Sequence, residues 1–218
     1  MPTLRFHEMP LCRLPRATAR RLITQLYAPD QRFARCFVRY WRDVMGQPAD
    51  DAARSTAAEL EASAATLLAN LDDPHVHTIG VTHDLGYEPV GMYAVRPLAS
   101  HPVGRELDAV LGPGRERRGL CHAVAIRDDH AGLRALRTVF VNIARRAVEA
   151  DLDVLYFYSS DHRLADVYRH FGMEFPDSLA LPRSHHLVGR YQVHRADNRA
   201  RVANTAAQLG LIELPAAA

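Results

Sequence analysis

His122 sits inside the apolar run Leu120 to Ile126, directly after Cys121. An imidazole with an ordinary pKa of about 6.5 takes up a proton near neutral pH, which suits His122 to work as a base. A strand histidine can equally be a satisfied structural group, and that reading stays open. On a strand Cys121 and His122 point to opposite faces, so they form no Cys/His dyad and Cys121 reads as core. Of the 12 histidines, His75 and His77 share a strand face, His83 lies near a turn, and His185 and His186 are adjacent. None belongs to an H-E-x-x-H or a His-x-His with a carboxylate partner, so no metal site is expected. Ser159-Ser160 lacks a G-x-S-x-G elbow, which argues against a serine hydrolase. All 27 basic residues are Arg, so lysine Schiff-base chemistry and P-loop nucleotide hydrolysis are excluded.

The elements that must position these residues follow from composition and periodicity. The 218 residues are 48% hydrophobic and 24% charged, with only 12 Gly and 13 Pro, which excludes disordered and collagen-like classes. A single domain over 1–218 is expected, with a mainly helical part at 1–72, a sheet core at 73–195, and a C-terminal helix and tail at 196–218. The net charge of +2 demands no nucleic-acid partner. Three cysteines without C-x-x-C spacing suit a reducing compartment, and no run approaches the roughly 20 apolar residues that span a bilayer. A cytoplasmic location is the expectation.

Leu4 to Leu11 reads as a short extended start. Helical stripes follow at Leu22 to Tyr27, at Phe33 to Val44 and from Asp50 to Leu71. Val76–Thr82 and Pro89–Val95 are short β-branched runs around Asp84-Leu85-Gly86, the pattern of a hairpin. Pro97 to Gly119 reads as loop, with a short helix around Arg105 to Leu111. Leu120–Ile126 is a strand leading into a helix whose stripe includes Leu133, Leu136, Val139, Phe140 and Ile143. Val154–Tyr158 is the next strand, a helix from Leu164 to Phe171 is stopped by Gly172, and His186–His194 alternates again. Asp197 is placed to cap a last helix. Strand, helix, strand in this order implies one parallel crossover within a mixed, mostly antiparallel α/β sheet.

A hairpin, a βαβ crossover, and a helix running into Tyr168-Arg169-His170-Phe171-Gly172-Met173-Glu174-Phe175 resemble the GNAT superfamily of N-acyltransferases over roughly residues 76–194. Members place an Arg/Gln-x-x-Gly-x-Gly/Ala loop between the fourth strand and the next helix, where backbone N–H groups cradle the pyrophosphate of coenzyme A. The matching window reads Ala131-Gly132-Leu133-Arg134-Ala135-Leu136, in which Gly132 survives and Arg134 and Leu136 fill the close-approach positions. Branches such as the N-acyl amino acid synthases and acyl-homoserine-lactone synthases take acyl chains from an acyl carrier protein and use only the phosphopantetheine arm. The resemblance thus implies acyl-CoA or acyl-phosphopantetheine as donor, with no metal.

In such a transferase the amine attacks the thioester directly, without a covalent enzyme intermediate. The resemblance makes Tyr168 the acid toward the leaving thiolate, or else a plain core tyrosine. His122 is the base. Backbone at Val124 and Ile126 would hold the thioester carbonyl and the pantetheine amides, and Gly132, Leu133 and Arg134 the phosphate end. Asp161 stands where members often bind the pantetheine arm, or it is a helix cap. Arg115, Arg117 and Arg118 would either meet an acidic carrier protein or form an ordinary solvated face. The function implied is N-acyl transfer to a small-molecule amine. The alternatives are a GNAT-like binding or regulatory module without catalysis, and a protein N-acetyltransferase.

Overall fold

Alternation at 76–83 and 86–97 produces two long antiparallel strands, around which a computed structural model of the chain builds its sheet. Described are residues 6–83, 86–160, 162–177, 179, 181 and 185–211. Among them lie six strands: β1 (Phe6–Pro10), β2 (Val76–His83), β3 (Gly86–Pro97), β4 (Arg118–Ile126), β5 (Val154–Ser159) and β6 (Leu187–Gln192). They form one sheet in the order β1-β2-β3-β4-β5-β6. β4 and β5 pair in parallel, while β1–β2, β2–β3 and β5–β6 are antiparallel. This is the mixed α/β architecture expected. The hairpin turn at 84–85 lies outside the described residues.

The helices are α1 (Arg16–Leu26), α2 (Arg32–Arg39), α3 (Ala49–Ala69), α4 (Pro102–Leu111), α5 (Leu133–Glu149), α6 (Ala165–His170) and α7 (Ala196–Leu209). Packing divides the chain into two compact units, residues 1–94 with 123–135 and residues 95–122 with 136–218. In the first, Leu22, Ile23 and Leu26 of α1 and Leu60 and Leu67 of α3 meet Val76, Met92 and Ala94 in one buried cluster. Fully burying a Leu or Ile in this way contributes about 1.5–3 kcal/mol. In the second, Leu98, Leu107, Leu120, Val154, Tyr156 and Val188 cluster beneath α4, while Phe140 of α5 stacks on Phe171 at 4.0 Å.

Two local expectations need correction, and a third is borne out. The stretch 97–119 is not mainly loop: β3 runs on to Pro97 and α4 starts at Pro102, because proline pre-sets the φ of a first helical residue. The extended start expected at Leu4 to Leu11 is present as β1, paired with β2 so that Phe6 lies opposite Val81 and Pro10 opposite His77. Asp197 does not cap α7; the N-cap is Arg195, without a side-chain cap bond, and Asp197 sits in the first turn. Gly172 does stop α6, at φ +90°, a conformation that favours glycine.

Candidate functional site

The β4–β5 ladder begins at Arg118 and Val154 and ends at Cys121 and Phe157, although β4 continues to Ile126 and β5 to Ser159. Ala123, two residues past the last pair, has φ +55°. That left-handed conformation costs an L-residue about 1–2 kcal/mol, and such strain re-aims a strand. Along the rest of β4, the Arg127 N–H bonds the Val90 carbonyl at 2.8 Å. Alternation then directs the N–H groups of Val124 and Ile126 away from β3.

His122 and its neighbours occupy one face of the sheet. Its ring lies 4.3 Å from that of His101, centroid to centroid, and His101 lies 6.4 Å from Tyr158. Tyr158 in turn meets His186 edge-on at 5.6 Å. Burial, reinforced by Arg96 and Arg105, pulls His101 down to about 4, and its buried Nδ1 makes no hydrogen bond among the described residues. Burial and His162, opposed by Glu106, pull His186 down to about 4 as well. Both imidazoles are therefore neutral at pH 7. His101 was not singled out in the sequence; the signal that would have placed it at the N-cap of α4 is Pro102, at the first helical position.

Cys121 faces the other way and is fully buried, and burial pushes its thiol up, so it is inert core as expected. Tyr168 lies on that same opposite side: its ring is 5.7 Å from Phe140 and 6.3 Å from Phe175, and Phe175 covers Gly189. His122 and Tyr168 are therefore not brought together but stand on opposite faces. Asp161 lies outside the described residues.

The window read as Ala131–Leu136 runs into α5. Because α5 starts at Leu133, Arg134 and Leu136 are already helical, and the connecting loop is Arg127-Asp128-Asp129-His130-Ala131-Gly132. Arg127 and Gly132 then occupy the first and last motif positions, with His130 where the first glycine is usual. A Cβ on Gly132 would meet nothing within 4 Å, and Leu133 is 57% exposed. The loop spends donors on itself: His130 N–H bonds the Arg127 carbonyl at 3.0 Å and Ala131 N–H the Asp128 carbonyl at 3.3 Å. The Asp128 N–H bonds the Gln31 side chain at 3.2 Å. Arg127 is held by Asp129 and, at 2.8 Å, by Glu88. Asp129 is pulled down to about 2 by the Arg127 guanidinium, against burial and with help from His130. Burial opposes ionisation of Asp128, yet the Arg32 N–H and the Arg35 side chain hold its carboxyl below the usual range.

Two of the three clustered arginines are matched by acids. Arg117 pairs with Asp151 and with Asp153 at 2.9 Å, and Arg118 reaches Asp108 at 3.0 Å and the Gly112 carbonyl at 2.7 Å. Arg115 is exposed and makes no ion pair among the described residues. Among those residues no three His, Cys, Asp or Glu are grouped so as to hold a metal ion, and no helix is long and apolar enough to cross a membrane.

No family model and no curated protein sequence matches the chain. Solved structures do. An acetyltransferase of the GNAT family from Listeria monocytogenes superposes with a TM-score of 0.55 at 10% identity, covering 86% of this chain and 94% of that one. The CoA-dependent acyl-homoserine lactone synthase BjaI, solved with SAM and isopentyl-CoA, gives 0.52 at 10% identity over 97% and 92%. FeeM, an N-acyl amino acid synthase from uncultured soil microbes, gives 0.50 at 17% identity over 94% and 97%. At these identities the likeness is one of fold.

Proposed function

We propose that this chain, which has the GNAT N-acyltransferase fold, moves an acyl group from a phosphopantetheine thioester to the amine of a small molecule. One observation carries the reading: the β4–β5 ladder stops at Cys121 and Phe157 while both strands run on. Past that pair, the Val124 and Ile126 N–H groups are aimed away from β3, where they can donate to a thioester carbonyl and to pantetheine amides.

His122 takes one proton from the ammonium of the acceptor. The freed amine attacks the thioester carbon, the C–N bond forms, the C–S bond breaks, and the electron pair leaves with sulfur. Tyr168 gives the thiolate its proton and regains one from solvent as the amide nitrogen loses its second. The products are an amide, a free thiol and one released proton. Base and acid act from the two faces of the sheet, so the acceptor arrives from the His101–His122 side and the thiol leaves on the Tyr168 side.

The Arg127–Gly132 loop supports a choice of donor. A pyrophosphate cradle needs free backbone donors, and here four of the six N–H groups, those of Arg127, Asp128, His130 and Ala131, are already bonded and two carboxylates are held ionised. A carrier-borne phosphopantetheine, which has no nucleotide pyrophosphate, avoids this loop. The same observation also favours a scaffold that has lost catalysis, and the donor panel separates the two. Octanoyl-pantetheine, octanoyl-carrier protein and octanoyl-CoA are each incubated with a pool of primary amines, and amides are detected by mass spectrometry. Amide formation at least tenfold more efficient from the first two than from the CoA ester is the expected result. A preference for the CoA ester removes the carrier reading. No amide from any donor, with no thermal stabilisation by any of them, makes the chain an inert scaffold.

A further inference from the structure

His101 stands at the corner between β3 and α4, and its backbone is fixed there on both sides. Its N–H bonds the Leu98 carbonyl at 3.3 Å, and its carbonyl accepts from the Arg105 N–H at 2.9 Å. The corner closes so tightly that a Cβ on Gly104 would stand 1.9 Å from the Leu98 carbonyl oxygen. A residue at an N-cap usually turns its side chain back to accept from the first N–H groups of its helix; His101 makes no such bond. Its ring lies instead against that of His122, 4.3 Å between centres and tilted by 40°.

Two nitrogens of this pair are shut off from solvent, His101 Nδ1 and His122 Nε2. His101 Nδ1 makes no hydrogen bond among the described residues, a state that a buried polar atom rarely keeps without a use. Its surroundings decide its charge. Burial, then Arg96 from β3 and Arg105 from α4, holds the ring neutral, and Tyr158 of β5 lies 6.4 Å away. Beyond Tyr158, His186 is neutral as well, with His162 and Glu106 as its titratable neighbours. A neutral imidazole keeps one lone pair, so His101 can accept a hydrogen bond where a cation could not.

A base needs one nitrogen open to its substrate. Because Nε2 of His122 is buried, Nδ1 is the atom that takes the ammonium proton, and Nε2 carries the hydrogen the neutral ring already holds. We propose that His101 is the positioning residue of this base: its Nδ1 accepts the hydrogen bond of His122 Nε2–H as His122 becomes an imidazolium, and the use of the pair rests on the acyl-transfer reading above. The contact is ring against ring, and catalytic hydrogen bonds commonly tighten only once substrate is bound. No proton passes between the rings, since the two guanidinium groups beside His101 disfavour a further cation there. His101 thus orients and supports the base without adding a charge of its own.

Heteronuclear NMR of the histidine side chains against pH reads tautomer and proton affinity without any turnover, with His122 identified by the signals lost in His122→Gln. Wild type should show both His122 and His101 protonated on Nε2 at neutral pH. His101→Phe keeps a ring against His122 and removes the acceptor, so His122 should bind its proton about tenfold more weakly. His101→Asn places an acceptor oxygen near the site of Nδ1 and should restore most of that loss, which a role in packing alone would not allow. Amide formation from octanoyl-pantetheine and the amine pool should follow, its acidic limb moving to lower pH in His101→Phe and returning in His101→Asn. His122 protonated on Nδ1 in wild type, an affinity unmoved in His101→Phe, or a loss that His101→Asn leaves in place overturns the pairing; amides still formed then leave acyl transfer standing. If neither variant folds, the wild-type tautomers decide. The expected tautomers and affinities with no amide from any donor uphold the pair and remove the transfer reading.

Discussion

His122 shares its face of the sheet with three other rings, His101, Tyr158 and His186, whereas Tyr168 leans on Phe140 and Phe175. A base and an acid so separated leave separable kinetic signatures. His122→Gln is expected to lower kcat about 10²–10⁴-fold with little change in donor KM, and to abolish the acidic limb of the kcat/KM profile. Tyr168→Phe should cost about 10²-fold and spare that limb; steady-state kinetics against pH checks both. The neighbours of His122 make a different prediction. Burial, with Arg96 and Arg105 at one position and His162 at the other, holds His101 and His186 near 4. Between the unfolded value of about 6.5 and 4 the unfolded chain binds protons that the folded chain refuses, so stability falls as pH drops through that window and is regained above it. Replacing both with Phe should flatten the Tm-versus-pH curve there, and an equally steep curve would show that neither histidine is held neutral. His122 was visible in the sequence because a lone imidazole interrupts an apolar strand. His101 was not, because its contact with His122 depends on where α4 begins.

The helices with a long apolar stripe were the easiest elements to read: α5 follows the spacing of Leu136, Val139, Phe140 and Ile143, since a period of 3.6 leaves little choice of face. Pairing was less legible. Nothing in Phe6–Pro10 alone says that it lies beside β2, and the four-pair extent of the β4–β5 ladder depends on a backbone twist at Ala123 that an alanine does not announce. The end of the loop before α5 was hidden for a related reason: only the start of α5 at Leu133 shows that four of the six residues of Ala131–Leu136 are helical. Gly172 illustrates a position read correctly whose reason is stronger than expected. It has φ +90°, and a Cβ there would stand 2.2 Å from Asn198 Oδ1. Gly172→Ala should therefore destabilise by about 1–3 kcal/mol, measured by urea unfolding. Asn198 also donates to the Gln192 carbonyl at 2.9 Å, so Asn198→Ala alone should cost about 1 kcal/mol. Because Asn198 is the atom group the new methyl meets, the double variant should cost less than the two single changes together, and strict additivity would mean that the methyl is accommodated elsewhere.

For the chain as a whole, the composition bears on the chemistry in a way no single element does. All 27 basic residues are arginine. A guanidinium stays protonated at any ordinary pH and is no nucleophile toward a thioester, whereas a lysine ε-amine reacts once it is deprotonated. A protein that keeps an activated acyl thioester beside its own side chains presents to it an effective concentration far above that in solution. With no lysine, the folded chain offers that thioester no side-chain amine, and the exposed free thiol of Cys12 is left as a side chain that can exchange with it. The intact mass after prolonged incubation with octanoyl-pantetheine, followed by hydroxylamine to cleave any S-acyl group, should show no acyl adduct beyond the α-amino group. Arg105 tests the point, because it is exposed in α4 and lies close enough to His101 to lower its pKa. Arg105→Lys retains the positive charge and introduces an amine on the acceptor face. That variant should gain one acyl group at that position under the same incubation, and His122→Gln in the same background should slow the gain. Acylation elsewhere on the wild-type chain, or none on the variant while the free acceptor is still acylated, would separate the lysine-free composition from the reaction.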